Sequence, residues 1–128
     1  MFHYTVESEK SIKEAIQSLE DNLKEEKFGV QWQFNIKETL EKKGYNLEHP
    51  FTVLEVCNPK EAERVLSVDQ LVGYFLPCKI VVYEDEQGKT KIGLPKPSAL
   101  IQMVEDESLK AIATDIENRL IACINKSV

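Results

Sequence analysis

Phe51-Thr52-Val53-Leu54-Glu55-Val56-Cys57-Asn58-Pro59 is the stretch from which the fold can be worked out. Thr52, Leu54 and Val56 fall on one side of a strand, and Phe51, Val53, Glu55 and Cys57 on the other. Asn58 is suited to cap a helix, Pro59 to open it without an amide hydrogen, and Glu61 to stand third. The string therefore closes a strand and starts a short helix reaching about Leu66. Its counterpart is Leu76-Pro77-Cys78-Lys79-Ile80-Val81-Val82-Tyr83-Glu84. Here Pro77 introduces a strand in which Cys78, Ile80 and Val82 alternate with Lys79, Val81 and Tyr83. Antiparallel pairing of the two strands puts both thiols at one end of one sheet. No other arrangement in the sequence points toward chemistry.

Downstream, Glu84-Asp85-Glu86-Gln87-Gly88 reads as a hairpin turn and Lys89 to Leu94 as its return strand. Pro95 and Pro97 end that strand, and Pro97 starts a short helix carrying Leu100, Ile101 and Val104. Leu109, Ile112, Ala113, Ile116, Leu120, Cys123 and Ile124 then form one long helical stripe. Upstream, Gly29 leads into period-two alternation. Val30, Trp32, Phe34 and Ile36 are expected to face the core, with Gln31, Gln33 and Asn35 in water. Lys37 to Lys43 reads as a short helix stopped by Gly44. Phe2 to Glu7 is a first strand. Ser8 or Ser11 caps the helix that follows, Ser11 with Glu14 matching a capping box, and that helix presents Ile12, Ala15, Ile16, Leu19 and Leu23 on one face. The charged run Asp21 to Lys27 is that helix's solvated side and end.

The order is strand, helix, four strands with short helical insertions, and a long C-terminal helix. Grouped strands with helices at either end argue for an α+β fold, an antiparallel sheet packed on helices, rather than a doubly wound one. The strands Phe51–Cys57 and Cys78–Glu84 are apolar on both faces, so helices on one side leave apolar surface on the other. A symmetric second copy is the simplest cover, and a ligand groove is the alternative.

The chain has 128 residues, the size of one domain that buries roughly two thirds of its unfolded surface. Its 22 acidic against 16 basic residues leave a net charge of −6, which argues against nucleic acid and anionic membranes as partners. No stretch approaches the roughly 20 apolar residues of a membrane span. Met1-Phe2-His3-Tyr4 lacks the basic-then-apolar layout of a signal peptide. Three cysteines, an odd number, argue for a reduced, cytoplasmic protein rather than a disulfide framework.

Cys57 immediately precedes a helix N-cap, where unpaired amides can stabilise a thiolate. Packing is the leading explanation of it, because free cysteine behaves as a small buried hydrophobe. Lys79 follows Cys78, but strand neighbours point to opposite faces, so its ammonium is poorly placed to help that thiol. Cys123, on the helical stripe, and Trp32 read as core. For a metal such as zinc, Cys57, Cys78, His49 and Glu55 are the available ligands, although their spacing matches no zinc signature. Glu55 is an acid within an apolar strand, and so a candidate general acid if buried; a rim position in solvent accounts for it too. There is no Cys-x-x-Cys, no glycine-rich phosphate loop, no Gly-x-Ser-x-Gly and no His-Glu-x-x-His. An ordinary hydrolase, kinase or dinucleotide enzyme is therefore not expected.

Phe34-Asn35-Ile36-Lys37-Glu38-Thr39-Leu40, the Glu55 to Pro59 string with Ala62, and Leu76 to Glu84 together resemble domain-of-unknown-function family 302. The likeness runs over nearly the whole chain and is strongest to stand-alone bacterial members. It implies a TATA-binding-protein-like α+β fold and a homodimer, with the motif cysteines at Cys57 and Cys78. It implies no established activity, although some relatives occur fused to or near sulfur-handling domains. The leading expectation is a non-enzymatic cytoplasmic homodimer that binds a small ligand or a protein partner. The alternative is a thiol-based protein handling sulfur, redox change or metal through Cys57 and Cys78.

Overall fold

Local signals set most element boundaries. The computed structural model describes residues 1–128. The first strand, β1 (His3–Ser8), leads to α1 (Ile12–Glu25). Ser11 accepts from the Glu14 amide at 3.1 Å and Glu14 accepts from the Ser11 amide at 3.1 Å, a complete capping box. Next come β2 (Gly29–Asn35), α2 (Ile36–Lys42) and β3 (Phe51–Cys57). After β3, Asn58 caps α3 (Pro59–Val68), and a 3₁₀ segment, Gln70–Phe75, follows. The hairpin β4 (Cys78–Glu84) and β5 (Thr90–Pro95) precedes α4 (Pro97–Ile101), a 3₁₀ turn Gln102–Val104 and α5 (Glu107–Ser127).

The strands form one antiparallel sheet in the order β1-β5-β4-β3-β2. Thr52, Leu54 and Val56 of β3 point to its inner face, with Ile80 and Val82 of β4 and Ile92 and Leu94 of β5. Helices α1 and α5 cover that face. Leu19, Leu23, Leu109, Leu120 and Ile124 are almost fully buried there. The expected stripe of the last helix is thus the core side of α5. The fold is mixed α and β, with a five-stranded antiparallel sheet and helices. No helix is long and apolar enough to cross a membrane.

Strand β2 departs from its expected facing. Val30 pairs with Val56, but the next pair is Trp32 with Glu55, so Gln31 is an extra residue in a β-bulge. One inserted residue exchanges the two faces for everything that follows. Val30 therefore packs against the core, whereas Trp32 and Phe34 turn to the outer face beside Glu55 and Val53. Trp32 is 53% exposed and stacks on Phe34 at 5.1 Å between ring centroids. The reading of Trp32 as core is corrected accordingly. Ile36 is not a strand residue either. It opens α2, because Asn35 accepts from the Glu38 amide at 3.0 Å and caps a helix there.

A second irregularity separates β4 from β5. Their pairing runs from Glu84 with Thr90 to Val81 with Gly93 and stops. Yet β4 continues to Cys78 along β3, and β5 continues to Pro95 along β1. Gly93 marks the last pair. A side chain there would come within 2.7 Å of Thr5 Oγ1, so the close approach of β1 requires glycine.

Candidate functional site

A cavity of about 290 Å³ lies where the β4–β5 ladder stops. Cys78 and Lys79 line it from β4, Leu94 and Pro95 from β5. Its floor is the apolar stripe of α5, with Leu109, Ala113, Ile116 and Leu120. Val65 of α3 and Tyr74 and Phe75 of the 3₁₀ segment form one wall. Pro97, Leu100 and Ile101 of α4 form another. Glu55 and Lys79 are the charged residues that reach it.

Two polar devices hold the walls. Glu117 of α5 is 9% exposed and accepts from the Ser98 amide at 3.0 Å and from Ser98 Oγ at 2.6 Å. It thereby supplies the start of α4 with the cap that Lys96 does not provide. Arg119, the neighbour of Leu120 on α5, donates to Glu26 Oε1 at 2.9 Å and to the Glu26 carbonyl at 3.2 Å. The guanidinium also lies 3.6 Å from Glu61 Oε1 and over the Phe28 ring at 5.2 Å. It links α5 to the end of α1 and to α3.

The two cysteines do lie at one end of the sheet, at the close of β3 and the opening of β4. Cys78 pairs with Val56, so Cys57 is offset by one residue and takes the alternate strand position. Both are free thiols. They border a small void of about 20 Å³ together with Phe28, Asn58 and Glu61. Burial, reinforced by the neighbouring Cys57, pushes the Cys78 thiol up to about 11. Amide stabilisation of a Cys57 thiolate is preempted locally. Asn58 Oδ1 accepts from the Lys60 and Glu61 amides at 3.1 and 3.3 Å, and Pro59 has no amide hydrogen. Cys123 is 1% exposed in the α5 core stripe.

Glu55 stands opposite Lys79 on the outer face. His49 belongs to the loop before β3, with Nδ1 2.8 Å from Glu84 Oε1. That hydrogen bond raises the His49 pKa above its ordinary value. The length of β3, about 20 Å at ~3.3 Å per residue, separates His49 from Cys57. Cys57, Cys78, His49 and Glu55 are thus not brought together as a ligand set, and no group of three such side chains is disposed to hold a metal.

Sequence reasoning found Cys78, Lys79 and Glu55 but not the cavity they border. The segment from Val72 to Leu76, between the helix expected to reach about Leu66 and the strand introduced by Pro77, contributes a wall. Its one visible signal in the sequence is hydrophobicity between two elements.

The family model described as domain of unknown function DUF302 matches residues 4–127. The crystal structure of an uncharacterized conserved DUF302 protein from Bacillus stearothermophilus is similar to this chain, with a TM-score of 0.96 and 54% sequence identity. That match covers 100% of this chain and 99% of the other. No curated protein matches.

Proposed function

The chain belongs to the DUF302 family, and from that premise we propose that it is a non-enzymatic domain that binds a small, mainly apolar molecule between β4 and β5. The observation that carries this reading is the cavity of about 290 Å³, walled by leucine, isoleucine and aromatic side chains and reached by only two charged ones. An apolar chamber with few polar groups is the common form of a small-ligand site, and this volume suits a small member of that class. Glu55, Lys79 and the neutral Cys78 thiol are the groups that would orient a polar end.

The same reading has the protein as a cytoplasmic homodimer with a TATA-binding-protein-like arrangement. Three unpaired cysteines support the compartment. The apolar outer sheet face supports the dimer. The order strand, helix, four strands, helix supports the fold name. The thiol-based alternative has less behind it, because Cys78 is held protonated and the amides nearest Cys57 are already occupied.

A titration with the neutral fluorescent probe N-phenyl-1-naphthylamine tests the cavity. The wild type should take it up saturably, one per chain. Ala113→Phe and Leu100→Trp each fill the chamber from a different wall and should weaken uptake by roughly tenfold or more. Equal uptake by folded variants, or no saturable uptake by the wild type, would remove the proposal.

A further inference from the structure

We propose that the molecule taken up between β4 and β5 is a small organic cation, an apolar body whose primary ammonium head is held by the Glu55 carboxylate and the Lys79 carbonyl. This deepens the cavity reading above and rests on it.

The backbone supplies the first argument. Glu84 donates its amide to the Pro50 carbonyl, on the β3 side. Alternation along β4 then turns the amide and carbonyl of Tyr83, Val81 and Lys79 toward β5. Tyr83 stands opposite Lys91 and Val81 opposite Gly93, so the residue due opposite Lys79 is Pro95. Proline has no amide hydrogen to donate. The Lys79 carbonyl is therefore left without its strand donor at the point where the ladder stops, and Lys79 and Pro95 both line the cavity. Pro77 and Pro97 line it too. Three prolines around one chamber withhold three amide hydrogens, so the backbone there offers acceptors and few donors. A carbonyl turned away from water without a donor costs free energy that a ligand N–H recovers.

The side chains carry the same sign. Glu55 is half-buried, lines the cavity and stands opposite Lys79, yet it makes no ion pair with Lys79 or any other group. Lys79 is exposed, so water screens its ammonium, and the carboxylate is the charge held at the chamber. Tyr74 and Phe75 in one wall are aromatic, and aromatic faces attract a cation. The net charge of −6 draws cations toward the molecule and repels anions. An anionic ligand would have the Lys79 ammonium alone, against Glu55 and a rim of carbonyls. At roughly 30 Å³ for each water-sized group, a chamber of about 290 Å³ holds on the order of ten heavy atoms. An octylammonium ion is of that size.

Isothermal titration calorimetry of the full chain near neutral pH with n-octylamine, 1-octanol and octanoate tests the inference, because the three share one body and differ in head charge. Octylammonium should bind one per chain, roughly tenfold or more tighter than octanol, with octanoate weakest. Glu55→Gln keeps the shape and should bring octylammonium down to the octanol level without moving octanol. Lys79→Met removes the ammonium but keeps the carbonyl, and should leave octylammonium bound as tightly as before or tighter. Octyltrimethylammonium keeps the charge but has no N–H to donate, and should bind about fivefold or more weakly than octylammonium. Both substituted positions lie outside the core, so the variants should melt within a few degrees of the wild type. Octanoate binding tighter than octylammonium overturns the inference. So does octylammonium binding that Glu55→Gln leaves unchanged, or equal binding of the trimethyl form. In each of those cases the cavity reading stands if octanol still binds and Ala113→Phe still blocks it. No binding of any of the three, or binding undiminished by Ala113→Phe, brings down the cavity reading and this inference together.

Discussion

Cys78 shows how a side chain can be legible as a type while its chemistry is not. Its place beside a proline at a strand start is plain in the sequence. Its protonation follows from burial and from Cys57, which no local pattern reports. With the thiol raised from 9.0 to about 11, its thiolate fraction near neutral pH is about 100-fold below that of an ordinary cysteine. Alkylation by iodoacetamide, followed by mass mapping, should be slower at Cys78 by that order than in the unfolded chain. Equal rates would count against a buried neutral thiol. The linkage has a definite sign. Between pH 9 and 11 the unfolded chain has released this proton and the folded chain has not, so folding binds the proton. The contribution is whole below pH 9 and shrinks by on the order of 2–3 kcal/mol as pH rises to 11. Denaturant unfolding of wild type and Cys78→Ala across that window should show their difference falling. His49 is the opposite kind of group, a base raised by Glu84. Its NMR titration midpoint should lie above 6.5 and fall back on Glu84→Gln.

Among the elements, helix starts were the most readable features. Ser11 with Glu14, and Asn58 with Pro59, are caps made by neighbours a few residues apart, and both occur as expected. The facing of β2 was not readable, because Gln31 carries no mark of a bulge. The bulge exists only as a shift in pairing against β3, a strand some twenty residues away. Deleting Gln31 removes the extra residue and leaves Val30 opposite Val56 and Trp32 opposite Glu55 in a regular ladder, so Trp32 and Phe34 should stay outward and the cost in urea unfolding should be about 1 kcal/mol or less. Gln31→Ala should cost less than about 0.5 kcal/mol, as at other exposed positions. A cost above about 3 kcal/mol would mean that the bulge itself, and not only the pairing it sets, is needed to hold the strand. The cap on α4 has the same long-range character, since Glu117 reaches Ser98 from another helix. Glu117→Ala should cost about 1–3 kcal/mol and also weaken probe uptake, because α4 is a cavity wall. Lost stability with unchanged uptake would separate the cap from the site.

For the whole molecule, ligand binding should appear as stability. N-phenyl-1-naphthylamine at about 100 times its Kd should add about 2.7 kcal/mol to the wild type. That corresponds to a Tm rise of about 10 °C in a chain of this size. Ala113→Phe should show no such rise, and a rise of equal size there would place the probe elsewhere. The sequence by itself determined the element order, the antiparallel α+β class, the core stripe of α5, the position of both motif cysteines at one sheet end, and the family. Periodicity and caps are local, so residues within about four positions of one another encode them. The tertiary structure alone decided that Trp32 faces outward, that β4 and β5 part beyond Gly93, and that Cys78, Lys79 and Glu55 border an apolar chamber while His49 lies away from them. Those outcomes depend on which distant strands and helices pack together, and a one-residue shift in pairing changes them without altering any local pattern.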